Sequence, residues 1–188
     1  PLITGIVIAA IAGLVIIGGV KRIGLFASTL VPIMALIYLL SASTIVLMNI
    51  NQVPEAFGII VDSAFNGSAA TGGFAGATVL MAIRFGIARG VFSNEAGLGS
   101  APIAHAAAKT NSPVKQGTIA MLGTFFDTII ICSLTALVIV ISGAWKNGDN
   151  GAVLTSNAFV YGLPAIGEYI VTICLILFAF TTIIGWSY

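Results

Sequence analysis

The sequence predicts an all-α, polytopic membrane protein with one discontinuous helix. Three observations carry that prediction. Hydrophobic residues fill 59% of the 188 positions and charged residues 7%, at a mean hydropathy of +1.13, whereas a soluble domain keeps about a quarter of its residues charged. The apolar residues fall into runs of about 20, the length that crosses a bilayer core of roughly 30 Å. One run is interrupted by a polar, glycine-bearing stretch, RGVFSNEAGLGSAPIAHAAA, residues 89–108.

From the N-terminus, residues 2–20 are apolar throughout and end on Lys21-Arg22, which reads as a membrane helix with a basic stop. A second span is expected over 25–48, with Pro32 near its first turns. NINQVPEAFGIIVDSAFNGS then reads as a polar loop carrying Glu55 and Asp62 but no Lys or Arg, so 49–71 is expected outside and the basic turn inside. The next crossing, 72–109, is too long for one straight helix and is broken by glycines and Pro102. Later spans are expected over 118–142 and 168–188, separated by a Gly/Asn/Asp-rich external loop over 143–167. The linker AKTNSPVKQG, with Lys109 and Lys115, falls inside with the first basic turn, and Arg84 and Arg89 are the exceptions to the charge count.

Composition also excludes several classes. Seven Lys and Arg give a net charge of +1 and form no patch, so a nucleic-acid partner is not expected. Cys132 and Cys174 lie in apolar runs and read as small buried fillers rather than a disulfide or metal site. The chain opens on Pro1 and closes at Tyr188 inside a predicted helix. It is therefore expected to be one transmembrane domain fragment, 1–188, whose partners include the lipid bilayer and the remaining helices of a longer chain.

In hydrocarbon an unpaired backbone group costs several kcal/mol, so a broken span survives only where protein or a wet cavity surrounds it. The half-helix before the break offers carbonyls to a cation, and the half-helix after it offers N–H groups to a carboxylate. Gly97 and Gly99 release the backbone, and Pro102 suits the first turn of the new helix. Ser93 and Asn94 add neutral oxygens of the kind hard cations accept. Four-residue pairs such as Gly72/Gly76 and Gly86/Gly90 read as helix-packing notches.

Competing readings stand beside these. Glu95 is either a direct ligand or a structural partner of Arg84 or Arg89. His105 reads as a structural or interfacial histidine before a proton relay. Asp127, a lone carboxylate in FFDTII, must face the bundle interior, for coupling or for helix anchoring. Enzyme readings fail on spacing. GLGSAP places Pro102 where both a phosphate loop and a nucleophile elbow need glycine, and Ser100 and His105 share one segment. In the last span, Thr181 and Thr182 can simply bond back to their own helix. Thr182 and Trp186 nevertheless lie one turn apart on one face.

RGVFSNEAGLGSAPIAHAAAKT, then DTIIICSLTAL, then LFAFTTIIGWSY resemble, in that order, the alanine or glycine:cation symporters, the sodium:alanine symporter family. The resemblance implies a leucine-transporter-like bundle of two inverted five-helix repeats, with this chain covering the fourth to eighth helices. It implies substrate contacts at Phe92, Asn94, Glu95, Gly97, Leu98, Gly99 and Trp186. Ser93 would serve one co-transported sodium ion, and Thr181 and Thr182 a second sodium site; from the residues themselves, apart from the resemblance, Asp127 and Arg89 read as coupling or structural residues. The expected function is sodium-coupled symport of alanine or glycine across a bacterial or archaeal plasma membrane. The alternative from another class is a non-transporting membrane subunit or sensor that keeps the ligand site.

Overall fold

The computed structural model describes residues 2–65, 75–95, 97–106 and 108–187. The helices, in chain order, are α1 (Leu2–Ile16), α2 (Gly19–Met48), α3 (Val53–Phe65), α4 (Ala75–Ser93), α5 (Ser100–Ala106), α6 (Pro113–Thr124), α7 (Ser133–Ser142), α8 (Gly151–Gly162) and α9 (Gly167–Trp186). A π-helical stretch, Phe125–Cys132, joins α6 to α7, and short 3₁₀ turns precede α3 and α8. Among the described residues there is no strand. Lys21–Met48, Pro113–Ser142 and Gly167–Trp186 are each long and apolar enough to cross a membrane, while Leu2–Ile16 is a shorter apolar helix.

Contacts divide the chain into two compact units, Pro1–Met48 with Ser142–Tyr188, and Asn49–Ile141. In the first, α9 lies along α2, α8 packs on α9, and α1 touches both α2 and α9. Ala42, Ile45, Ala158, Phe159 and Ile184 are fully buried there, and the Tyr38 ring tilts against Phe159 at 5.2 Å between centroids. Small residues make the close approaches possible. A Cβ on Gly162 would stand 2.6 Å from Ile45 side-chain carbons, and one on Gly167 would strike the Phe159 carbonyl. The α8–α9 hairpin closes through Leu163 N to Phe159 O (2.8 Å) and Gly167 N to Leu163 O (2.7 Å).

Several boundaries differ from expectation, each for a local reason. The first helix ends at Ile16 rather than residue 20, because Gly19 turns the chain at φ +69°. The basic pair therefore sits in the opening turns of α2, where Arg22 Nη1 donates to the Leu14 carbonyl at 3.3 Å near the C-terminal end of α1. Since α2 starts six residues before Leu25, Pro32 falls inside it and lacks an N–H for the Ser28 carbonyl.

The span expected from Thr118 starts at Pro113, because Ser112 accepts from Lys115 N (3.3 Å) as an N-cap and Pro113 occupies the first turn. Both stretches read as loops carry helices. Glu55 opens α3 in its first turn, and apart from Asn157 the Asn and Gly residues lie at or beyond the ends of α8. The expected start of the broken span near residue 72 lies outside the described residues, as do Gly72, Gly73 and Tyr188. Cys132 and Cys174 are free thiols.

Candidate functional site

The break between α4 and α5 is set by three backbone angles. Glu95, Gly97 and Gly99 adopt φ of 51°, 77° and 83°, in the left-handed region that stops a right-handed helix. Glycine enters that region without a Cβ penalty. Glu95 enters it at a cost of about 1–2 kcal/mol, the sort of local strain that collects at functional sites. Asn94 N still bonds to Gly90 O (3.1 Å), Glu95 N to Phe92 O (3.2 Å), and Leu98 N to Glu95 O (3.3 Å). The chain thus turns tightly between α4 and α5 instead of unravelling. At seven residues, α5 is about two turns long.

The π-helical stretch comes against the end of α4. Ser93 Oγ donates to Asp127 Oδ2 at 2.5 Å, and Thr128 Oγ1 donates to Asn94 Oδ1 at 2.9 Å. Two consecutive residues thus meet two consecutive residues. Neighbouring side chains on an α-helix point about 100° apart. Bonding i→i+5 puts more residues in each turn and closes that angle, and such turns gather at functional sites. Asn94, Asp127 and Thr128 are half-buried, and Ser93 is exposed.

Beside these contacts lies an open cleft of about 190 Å³. Ser93, Asn94, Glu95, His105 and Asp127 give it polar walls, and Ala120 and Gly123 of α6 leave the space. Its volume is about six times the share of one liquid water, and it is below the roughly 300–1,000 Å³ usual for drug-sized ligands. At its α5 side, His105 Nδ1 accepts from Gln116 Nε2 at 2.7 Å. That bond ties α5 to α6, as a structural histidine does. Among the described residues no three of His, Cys, Asp and Glu gather as a metal cluster. The oxygens at the break are hydroxyl, amide and carboxylate, hard donors suited to alkali or alkaline-earth cations.

The remaining expected residues lie in several places. Phe92 and Leu98 flank the turn and are exposed, as are Gly97 and Gly99. Arg84 and Arg89 are exposed along α4, away from the cleft lining. A Cβ on Gly86 or Gly90 meets nothing within 4 Å, so among the described residues that pair is no packing notch. Thr181, Thr182 and Trp186 belong to the other unit, on α9. Thr181 Oγ1 donates to Phe178 O at 3.0 Å, which commits its proton and leaves its lone pairs. Both threonines are half-buried and Trp186 is exposed. Sequence pattern does not single out Thr128 or Gln116. The signal that marks Thr128 is its hydroxyl directly beside a lone carboxylate in an apolar run.

A model of the sodium:alanine symporter family matches residues 1–188. The chain is similar to an uncharacterised transporter of Haemophilus influenzae, 54% identical over all of this chain and 41% of the relative. It is 50% identical to the sodium/alanine symporter AgcS of Methanococcus maripaludis, again over all of this chain and 41% of the relative. A probable sodium/glutamine symporter, GlnT of Bacillus subtilis, is 39% identical over 98% of this chain and 38% of its own length. The chain thus spans about two fifths of the length of these relatives.

Proposed function

The chain belongs to the sodium:alanine symporter family, and from that premise we propose that the full-length protein carries a small neutral amino acid inward together with sodium. Alanine or glycine is the proposed substrate, the plasma membrane of a bacterium or archaeon the proposed site, and alternating access the proposed mechanism. The chain is part of a multi-pass membrane protein, as the family and the three long apolar helices among the described residues support. We place it in a leucine-transporter-like bundle, with α1, α2, the broken α4–α5, α6–α7 and α9 as the fourth to eighth helices. In that frame α3 and α8 belong to the two external connections.

One observation supports the reading: a helix that stops at Ser93 and a second that starts at Ser100, with the last polar residues before the break held by Asp127 and Thr128 beside a small cleft. Hydroxyl and amide oxygens beside a helix end suit Na⁺, and a carboxylate bound next to that ion neutralises it. Phe92 and Leu98 would wall a small side chain, with Asn94, Glu95, Gly97 and Gly99 at the substrate and Ser93 at the ion. By the family likeness, Thr181 and Thr182 would supply hydroxyls to a second sodium site, and Trp186 would limit side-chain size.

Labelled alanine uptake by full-length protein in proteoliposomes, under an inward sodium gradient, tests this. Accumulation that collapses without the gradient is expected. Uptake that persists unchanged without sodium or proton gradients overturns symport, and sodium-dependent binding with no uptake leaves a sensor subunit instead.

A further inference from the structure

Resting on the transporter reading, the geometry at the break assigns roles to two residues that lie on another helix. Ser93 and Asn94 are neighbours, and each is bonded to one member of the pair Asp127-Thr128. The two bonds run in opposite senses. Ser93 gives its only hydroxyl hydrogen to Asp127 Oδ2, so what it turns to a ligand is lone pairs. Asn94 receives the Thr128 hydroxyl hydrogen on Oδ1, so what its amide turns the other way is Nδ2 with two hydrogens.

We propose that Asp127 and Thr128 are positioning residues that give adjacent ligands opposite polarity: Ser93 becomes an acceptor for the cation, and Asn94 becomes a donor for the substrate carboxylate. The assignment changes the reading of Asn94, whose side-chain oxygen is no longer a cation ligand. It also gives the π-helical stretch a task, since Asp127 and Thr128 must reach the same short segment from consecutive positions. A zwitterion and a metal ion present unlike charges a few ångströms apart. A site for both needs unlike partners at the same spacing, and serine followed by asparagine supplies them only if something outside fixes each hydrogen.

The test uses full-length protein in proteoliposomes and reads two quantities separately: the alanine KM at saturating sodium, and the sodium half-saturation at saturating alanine. Thr128→Val frees the Asn94 amide to rotate. It should raise the alanine KM roughly five- to tenfold, about one hydrogen bond's worth, and move sodium half-saturation less than twofold. Thr128→Ser, which keeps the hydroxyl, should restore wild-type values. Asp127→Leu should raise sodium half-saturation by a similar factor with a smaller change in alanine KM. Asp127→Asn, which keeps an oxygen to accept from Ser93, should stay within about threefold of wild type.

Asn94→Asp replaces the donor with a second acceptor and keeps the Thr128 bond. It should raise the alanine KM more than any Thr128 variant, which tests the proposal even if Thr128→Val does not insert. Equal shifts of both quantities in Thr128→Val, or Asp127→Asn as damaging as Asp127→Leu, overturn the polarity assignment while leaving transport intact. Wild-type protein that neither binds nor carries alanine overturns the transporter reading and this assignment with it.

Discussion

Gly97, in the turn between α4 and α5, and Gly86, within α4, should respond to an added methyl in opposite directions. At both positions a Cβ would meet nothing within 4 Å, so neither effect is a clash. Gly97 sits at φ +77°, and an L-residue there costs about 1–2 kcal/mol of backbone strain. Gly86 lies within α4, where alanine is the better helix former by about 1 kcal/mol. Gly97→Ala should therefore lower thermal stability and alanine uptake together, and Gly86→Ala should leave uptake near wild type with equal or higher stability. Gly97→Leu adds a side chain that fills the break, and should abolish uptake while a membrane-fraction blot still shows normal insertion. On α9, Thr182→Val removes a half-buried hydroxyl with little change in shape. It should weaken the sodium dependence of uptake more than it lowers melting temperature; normal transport at low sodium would remove Thr182 from the ion site.

At the scale of elements, the π-helical stretch Phe125–Cys132 is where register matters most. Deleting Ile129, an exposed apolar residue, shortens the 30-residue span Pro113–Ser142 by one. The span remains long enough to cross, since about 20 residues suffice. Shortening an i→i+5 stretch by one residue lets it relax toward i→i+4 bonding, which reopens the angle between Asp127 and Thr128 to about 100°, so the two no longer face α4 together. Inserted, monodisperse protein without alanine uptake is the expected result.

Gly167→Ala is the matching test in the other unit. Its methyl would meet the Phe159 backbone, which cannot swing aside as a side chain can, so a loss of about 1–3 kcal/mol in stability is expected. Apolar runs made the long helices legible from the sequence, and Gly97, Gly99 and Pro102 made the break legible. The α3 and α8 helices were not, because Pro54 and Gly151 read as breakers when they stand at helix starts. No side-chain pattern marks i→i+5 bonding, and a bond between residues 34 apart, such as Thr128 to Asn94, depends on how the helices dock.

At the scale of the whole molecule, a full-length symporter must hold both ligands at once. A cation brought alone to a low-dielectric site leaves water with its charge uncompensated, and an amino-acid carboxylate brought alone does the same. Bound side by side, each offsets the desolvation of the other. Binding free energies are reciprocal, so the factor by which sodium raises alanine affinity must equal the factor by which alanine raises sodium affinity. Coupling of about 1–3 kcal/mol, or roughly 5- to 150-fold, is the scale expected of such linked sites. The measurement is a pair of titrations on purified full-length protein: alanine Kd with and without saturating sodium, and sodium Kd with and without saturating alanine. Two equal ratios inside that range are expected. Replacing sodium with choline should return the alanine Kd to its uncoupled value, because a bulky organic cation cannot take the hydroxyl and carboxylate oxygens a small hard ion takes. If alanine binds equally well in choline and in sodium, the two ligands share no local charge balance, and the break over 94–99 is not where the symporter joins them.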